Sequence, residues 1–269
     1  MNARTGFVVI LLLAAGPALQ AQFDFGKLTD KLKDAKKLVK AAAGIGPEEE
    51  KIIGDSVALE IIGKYGGLVR DDAAMRRLNL VGRALARYSA RPELAWRFGV
   101  LASDTVNAFS APDGYVFIPR GLYALAETDD ALAAILGHEI AHIADRHALK
   151  IVERGEFLSG FASQLTERSS QVREIDAKLQ QFVDTSTAKI IDTLCKNGFD
   201  PQTEYAADRD GRQLAALTGY APGGLRGVLA QLQQRGGDPQ QTFSTHPPLK
   251  ERIQRLPNEP AVLPGPPAT

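Results

Sequence analysis

The stretch Ala131–Ala144 is apolar at every position except His138, Glu139 and His142. A helix that is apolar almost all round belongs inside a core. Unpaired polar groups in such a place are costly, so two imidazoles and a carboxylate in the middle of it need a common purpose. Thr128 precedes the stretch as a helix N-cap, and Asp129 and Asp130 follow at the positive end of the helix dipole. The spacing predicts a helix running from Leu122 to about Val152.

On that helix His138-Glu139-Ile140-Ala141-His142 is an HExxH sequence. Residues four apart lie about 40° round and about 6 Å along the axis, so the two imidazoles meet at one spot and can grip one divalent metal. Glu139 lies beside that face, within reach of a water on the metal without ligating it. Zn2+ held by neutral imidazoles lowers the pKa of such a water, and a carboxylate can take its proton. The chain has only four histidines, the others being His147 and His246. His147, nine residues after His138, falls about 180° round a continuous helix and cannot reach the same ion. No HxxGxxH extension follows. A third protein ligand is required, and Glu204 is the best candidate, with Asp208 one turn later on the same face to accept an imidazole N–H. The competing reading is a solvated acidic face paired with Arg209 or Arg212, and spacing alone leaves the two even.

Composition removes other classes. Lys+Arg and Asp+Glu both number 32, so no global basic field exists to hold nucleic acid. Cys195 is the only cysteine, which excludes a disulfide scaffold, a cysteine zinc finger and a cysteine-ligated cluster. It sits among Ile190, Ile191 and Leu194 and reads as a buried small hydrophobe.

The chain divides into four parts. Residues 1–21 carry Arg4, the short apolar run Phe7–Ala15 and the small residues Ala18 and Ala21, a pattern that predicts a cleaved export signal and a soluble or peripherally membrane-associated periplasmic protein. Residues 22–47 hold a lysine-rich amphipathic helix and a linker. Its stripe of Leu28, Leu32, Ala35 and Val39 either docks on the protein or lets Lys27–Lys40 touch an anionic membrane surface. Residues 48–257 form the main domain, and 258–269 a proline-rich disordered tail. Within the domain helices are expected over Glu48–Tyr65, Asp71–Ser89, Thr203–Leu217, up to Gln234, and Pro248–Pro257. Ala95–Ala102, part of Asp104–Pro112 and Tyr115–Pro119 read as strands. The fold class is α+β, mainly α, with a small, mostly antiparallel sheet beside the helix that bears the HExxH.

Several ordered motifs then add a resemblance. They are Asn107-Ala108-Phe109, Gly114–Ile118, Arg120-Gly121-Leu122, the helix motif extended to Arg146-His147, Glu204–Asp208 followed by Arg209, and Thr245-His246-Pro247-Pro248 with Arg252-Ile253. Together they resemble the gluzincin zinc metalloendopeptidases that include HtpX, the CAAX prenyl protease, BepA and LoiP. The resemblance spans most of Glu48–Leu256. It implies a zincin-like helical core and one Zn2+ per chain on His138, His142 and Glu204, with Glu139 as general base. It implies that Asp208 supports a zinc ligand and that Arg252 holds the downstream motif. His246 would stabilise the tetrahedral oxyanion or occupy the metal's open position in a latent state; a loop histidine packed on Pro247 is the alternative. Asn107, Ala108 and Phe109 would form an edge strand along which an extended peptide pairs. No set of transmembrane helices, lipobox or tetratricopeptide-like domain accompanies these motifs. The implied function is an endopeptidase acting on unfolded or misassembled envelope proteins. The alternative is a periplasmic chaperone or assembly factor with a latent zinc site.

Overall fold

The computed structural model describes residues 45–153, 172–235 and 245–257. The expected export signal, the lysine-rich helix and the tail at 258–269 lie outside the described residues. In chain order the elements are α1 (Pro47–Lys64), α2 (Asp72–Ala86), β1 (Arg97–Leu101), β2 (Phe109–Ala111), β3 (Tyr115–Pro119), α3 (Arg120–Leu125), α4 (Asp129–Ala144), α5 (His147–Glu153), α6 (Val172–Asp192), a π-helical turn (Thr193–Asn197), α7 (Pro201–Leu217), α8 (Gly224–Gln234) and α9 (Leu249–Arg255). The mainly helical α+β reading holds.

The sheet is mixed. β3 is central, β1 pairs with it in parallel and β2 in antiparallel. The antiparallel half follows from the turn at Asp113 and Gly114, which take φ of 62° and 88° and close a hairpin between β2 and β3. The extended stretch before β2 brings the chain back so that β1 adds to the far side of β3, a crossover that no local turn residue announces. Alternate residues of β3 enter two different cores. Val116 and Ile118 join Phe98, Val100, Leu78, Leu85, Leu132, Leu136 and Ile140 on one face. Tyr115 and Phe117 join Ile53, Val57, Ile61, Leu149, Phe182 and Ile190 on the other. Burial on both faces explains why Tyr115–Ile118 is a continuous apolar run rather than an alternating one. The C-terminal part of α6 and the π-helical turn pack against α1 through Phe182, Val183, Ile190, Ile191 and Leu194. Cys195 packs at the edge of that core, and burial pushes its thiol pKa up. No helix among the described residues is long and apolar enough to cross a membrane.

α4 is the axis of the molecule. Thr128 caps it by accepting the Ala131 N–H at 3.1 Å. Every residue from Leu132 to Ile143 is buried. α7 crosses α4 where two glycines face each other. A methyl group at Gly137 would lie 2.6 Å from the Gly211 carbonyl oxygen, and one at Gly211 would lie 2.5 Å from the His138 nitrogen. This contact lets two backbones approach closely, and Glu204, Asp208 and Gly211 fall on one stripe of α7. Gly211→Ala is expected to destabilise the protein by about 1–3 kcal/mol despite the better helix propensity of alanine, because both neighbours are backbone and cannot yield. A urea titration checks this; an unchanged or raised midpoint would mean that the crossing is looser than the contact distances state.

The helix expected over Leu122–Val152 is three helices. α3 ends before the Thr128 cap, and α4 ends at Ala144. Arg146 then takes a left-handed φ of 57°, and α5 starts at His147. A left-handed non-glycine residue costs about 1–2 kcal/mol. The Arg146 guanidinium offsets that by donating to the Ile45 carbonyl oxygen at 2.5 Å and to Glu153 Oε1 at 3.3 Å.

Candidate metal centre

His138 and His142 project from α4 with their Nε2 atoms 3.1 Å apart. Glu204, one turn into α7, faces both: Oε2 is 3.5 Å from His138 Nε2, and Oε1 is 3.7 Å from His142 Nε2. Asp200 fixes the start of that helix by accepting the Thr203 N–H at 3.1 Å. All three side chains are buried, and Glu204 is 0% exposed. From the loop before α9, His246 Nδ1 meets Glu204 Oε2. One ligand atom from each of His138, Glu204 and His246 lies within 4.8 Å of the others. Glu139 is buried beside them at 4% exposure.

These groups fit a divalent cation. Glu204 Oε1 is buried and has no hydrogen-bond partner among the described residues, which is expensive for a carboxylate oxygen unless a cation takes that place. Two imidazole nitrogens at 3.1 Å cannot both carry a proton without repulsion. Without a cation they divide the roles. Burial pulls the His138 pKa down, but Asp208 and Glu204 outweigh it and raise it above the ordinary histidine value. Burial, and then the neighbouring His138, drives His142 well below its ordinary value, so it stays neutral. Burial would raise Glu204, but the surrounding histidines, His246 foremost, hold it well below the usual carboxylate range. Two nitrogens, a carboxylate and a nearby third imidazole make a donor set suited to a transition-series dication rather than to Ca2+ or Mg2+.

A second layer orients these groups. Asp208 Oδ1 lies 2.9 Å from His138 Nδ1. Asp208 itself takes a two-pronged grip from Arg252, with Nε to Oδ2 at 2.9 Å and Nη2 to Oδ1 at 2.5 Å. Arg252 is 1% exposed. Sequence order therefore translates into a spatial chain: Arg252 on α9, Asp208 on α7, His138 on α4.

The His246 loop is seated by contacts that sequence reasoning did not find. The Asn107 amide donates to Thr245 Oγ1 at 3.4 Å. A methyl group at Gly198, where φ is 72°, would lie 1.8 Å from the Thr245 carbonyl oxygen. Only glycine fits there. Phe199, the next residue, stacks on His142 with ring centroids 4.5 Å apart and planes at 19°. Nothing in the local sequence marks Gly198-Phe199 as more than a helix stop.

Asn107–Phe109 is not the edge strand. The strand is Phe109–Ala111, at the edge of the sheet, and Asn107 and Ala108 precede it. Asn107 turns its amide to Thr245, and Phe109 is 1% exposed and packs on Tyr65 with ring centroids 4.5 Å apart. The sequence reading placed the edge two residues too early because the extended stretch before β2 looks the same as strand.

Residues 72–259 match the sequence pattern of Peptidase family M48. A beta-barrel assembly-enhancing protease of Escherichia coli (strain K12) is 24% identical over 255 residues, which is 91% of this chain and 50% of that protein. The mitochondrial metalloendopeptidase OMA1 of Schizosaccharomyces pombe is 24% identical over 213 residues, 77% of this chain and 60% of that one. The mitochondrial metalloendopeptidase OMA1 of Bos taurus is 34% identical over 127 residues, 46% of this chain and 24% of that one. The chain spans about half the length of the curated relatives it matches.

Proposed function

The chain belongs to Peptidase family M48, and from that premise we propose that it is a zinc-dependent endopeptidase that hydrolyses peptide bonds in unfolded or extended polypeptides. The observation that carries this reading is the convergence at one buried point of His138 Nε2, His142 Nε2 and Glu204 Oε1, an oxygen with no hydrogen-bond partner among the described residues, with Glu139 on the helix of the two histidines. His138, His142 and Glu204 would hold one Zn2+ per chain. When bound, the ion supplies a Lewis acid that polarises a carbonyl oxygen and makes water acidic enough to lose a proton near neutrality. Glu139 takes the proton from the attacking water and passes it to the leaving amine nitrogen. Asp208, clamped by Arg252, keeps the His138 ring in the orientation that points Nε2 into the site.

His246 has two possible tasks, to stabilise the oxyanion or to hold the site shut. Its contact with Glu204 Oε2 favours the second in this arrangement, since a histidine there covers the carboxylate that a metal needs. A latent site also keeps alive the alternative of a chaperone or assembly factor. For substrate, β2 is an edge strand of the three-stranded sheet with buried side chains, and backbone pairing along it would give affinity with little sequence preference. The names of the relatives support envelope or organelle proteins as a theatre of action. Export by residues 1–21 and membrane contact through Lys27–Lys40 remain proposals of the sequence.

Elemental analysis of the purified protein tests the site. One zinc per chain is expected, lost in Glu204→Ala, with cleavage of unfolded casein and of a peptide blocked at its N-terminus lost in parallel. A protein that takes up no zinc even when it is supplied, or that needs a free substrate N-terminus, overturns the reading.

A further inference from the structure

We propose that His147 is a positioning residue for the metal site: it sets the tautomer and tilt of His142 by accepting the His142 Nδ1–H. The two Nδ1 atoms lie 3.0 Å apart, and the rings meet edge-on with centroids 5.0 Å apart and planes at 74°. Two neutral imidazoles at that distance must be one donor and one acceptor. The assignment follows from the other end of His142. Its Nε2 faces His138 Nε2 and Glu204, so as a ligand it must present a lone pair there. The single proton of neutral His142 then sits on Nδ1 and is donated to His147. His147 accepts at Nδ1 and so carries its own proton on Nε2, which lies 3.9 Å from Asp145 Oδ2. This inference rests on the zinc reading above.

The fold is arranged to deliver this contact. On a continuous helix a residue five positions after His142 would sit about 140° round and over 7 Å along the axis, out of reach. The left-handed turn at Arg146 ends α4 and restarts the chain as α5, bringing His147 back against His142. His147 is 8% exposed. Phe199 covers the pair, stacked on His142 and with its centroid 5.9 Å from His147. The two zinc histidines are thus held differently. His138 has the Asp208 carboxylate at its far nitrogen, whereas His142 has an uncharged ring. A second carboxylate there would add an unneutralised charge beside Glu204; a neutral acceptor fixes the ring without it.

Removing such a partner commonly weakens metal affinity about 10–100-fold. His147→Leu is expected to do so, because His142 Nδ1–H is left buried with no acceptor. A cavity of about 120 Å³ beside His147, lined by Lys150, Ile151, Thr193, Phe199 and Thr203, gives leucine room. His147→Asn places an amide oxygen close to the former Nδ1 position and is expected to recover most of the loss. Zinc affinity is read by titration against a competing chelator. The visible spectrum of the cobalt(II)-substituted protein reports whether the ligand geometry changes, and thermal unfolding of the metal-free variants reports the fold. Equal affinity in His147→Leu and the parent overturns the inference and leaves the zinc reading intact. Equal losses in the leucine and asparagine variants also overturn it, since packing alone would then explain the contact. A parent protein that binds no zinc overturns the function reading itself.

Discussion

Glu139→Gln is expected to lower peptide hydrolysis by about 10²–10⁴-fold while leaving the fold and bound zinc unchanged. Glutamine has the same shape and keeps the hydrogen-bonding capacity of a 4%-exposed side chain on α4. It loses the one property the mechanism uses, the ability to hold a proton between the water and the leaving amine. Because Glu139 is not among the groups that meet at His138, His142 and Glu204, metal content should stay at the parent value. Initial rates on unfolded casein, measured beside zinc content, check both halves. A rate within tenfold of the parent would remove Glu139 from the chemistry. The same variant separates the two functional readings: a cellular role that survives it is a binding role, and the zinc site is then latent or structural.

The second large effect is on stability. Arg252→Met is expected to cost about 3–5 kcal/mol, the usual penalty for stripping one partner from a buried ion pair. The pair is enclosed, with side-chain exposures of 1% for Arg252 and 5% for Asp208. Its two hydrogen bonds are the only ones that tie α9 to the carboxylate behind His138 among the described residues. The loss should be largely recovered in the double variant Asp208→Asn with Arg252→Met, which removes both charges, although that protein should still bind zinc more weakly. Burial would raise the Asp208 pKa, but His138 and Arg252 outweigh it and hold it below the ordinary carboxylate value. A carboxylate depressed in the folded state contributes stability above its unfolded pKa of about 4, and that contribution fades as pH falls toward the folded value. The gap between parent and Arg252→Met should therefore be full at pH 7 and shrink below about pH 4. Guanidinium titrations at both pH values test it; a loss under about 1 kcal/mol at pH 7 would mean that the charge is relieved by water.

Local chemistry was legible from the residues themselves. HExxH in an apolar stretch placed two imidazoles and a carboxylate on a buried helix, because a helix repeats its faces every 3.6 residues whatever surrounds it. Thr128 capped that helix, and Asp113-Gly114 turned the hairpin, for equally local reasons. The i, i+4 pairing of Glu204 and Asp208 was readable too, but not its destination. Spacing left a solvated face and a buried ligand set even, and the Gly137–Gly211 crossing decided between them by bringing α7 against His138.

The remaining differences share one physical origin. The parallel pairing of β1, the start of the edge strand at Phe109, the seat of Thr245 on Gly198 and the return of His147 to His142 all depend on contacts between residues distant in sequence or on a turn with no glycine or proline to announce it. The Arg146 turn shows this most directly. Its left-handed backbone is unfavourable locally and is held by Ile45, from the far end of the described chain, and by Glu153. Periodicity and residue chemistry, being local, determined which groups this protein carries and which helix bears them. Only the tertiary structure decided which of those groups meet, because close approach of backbones and burial of charge are properties of the packed chain.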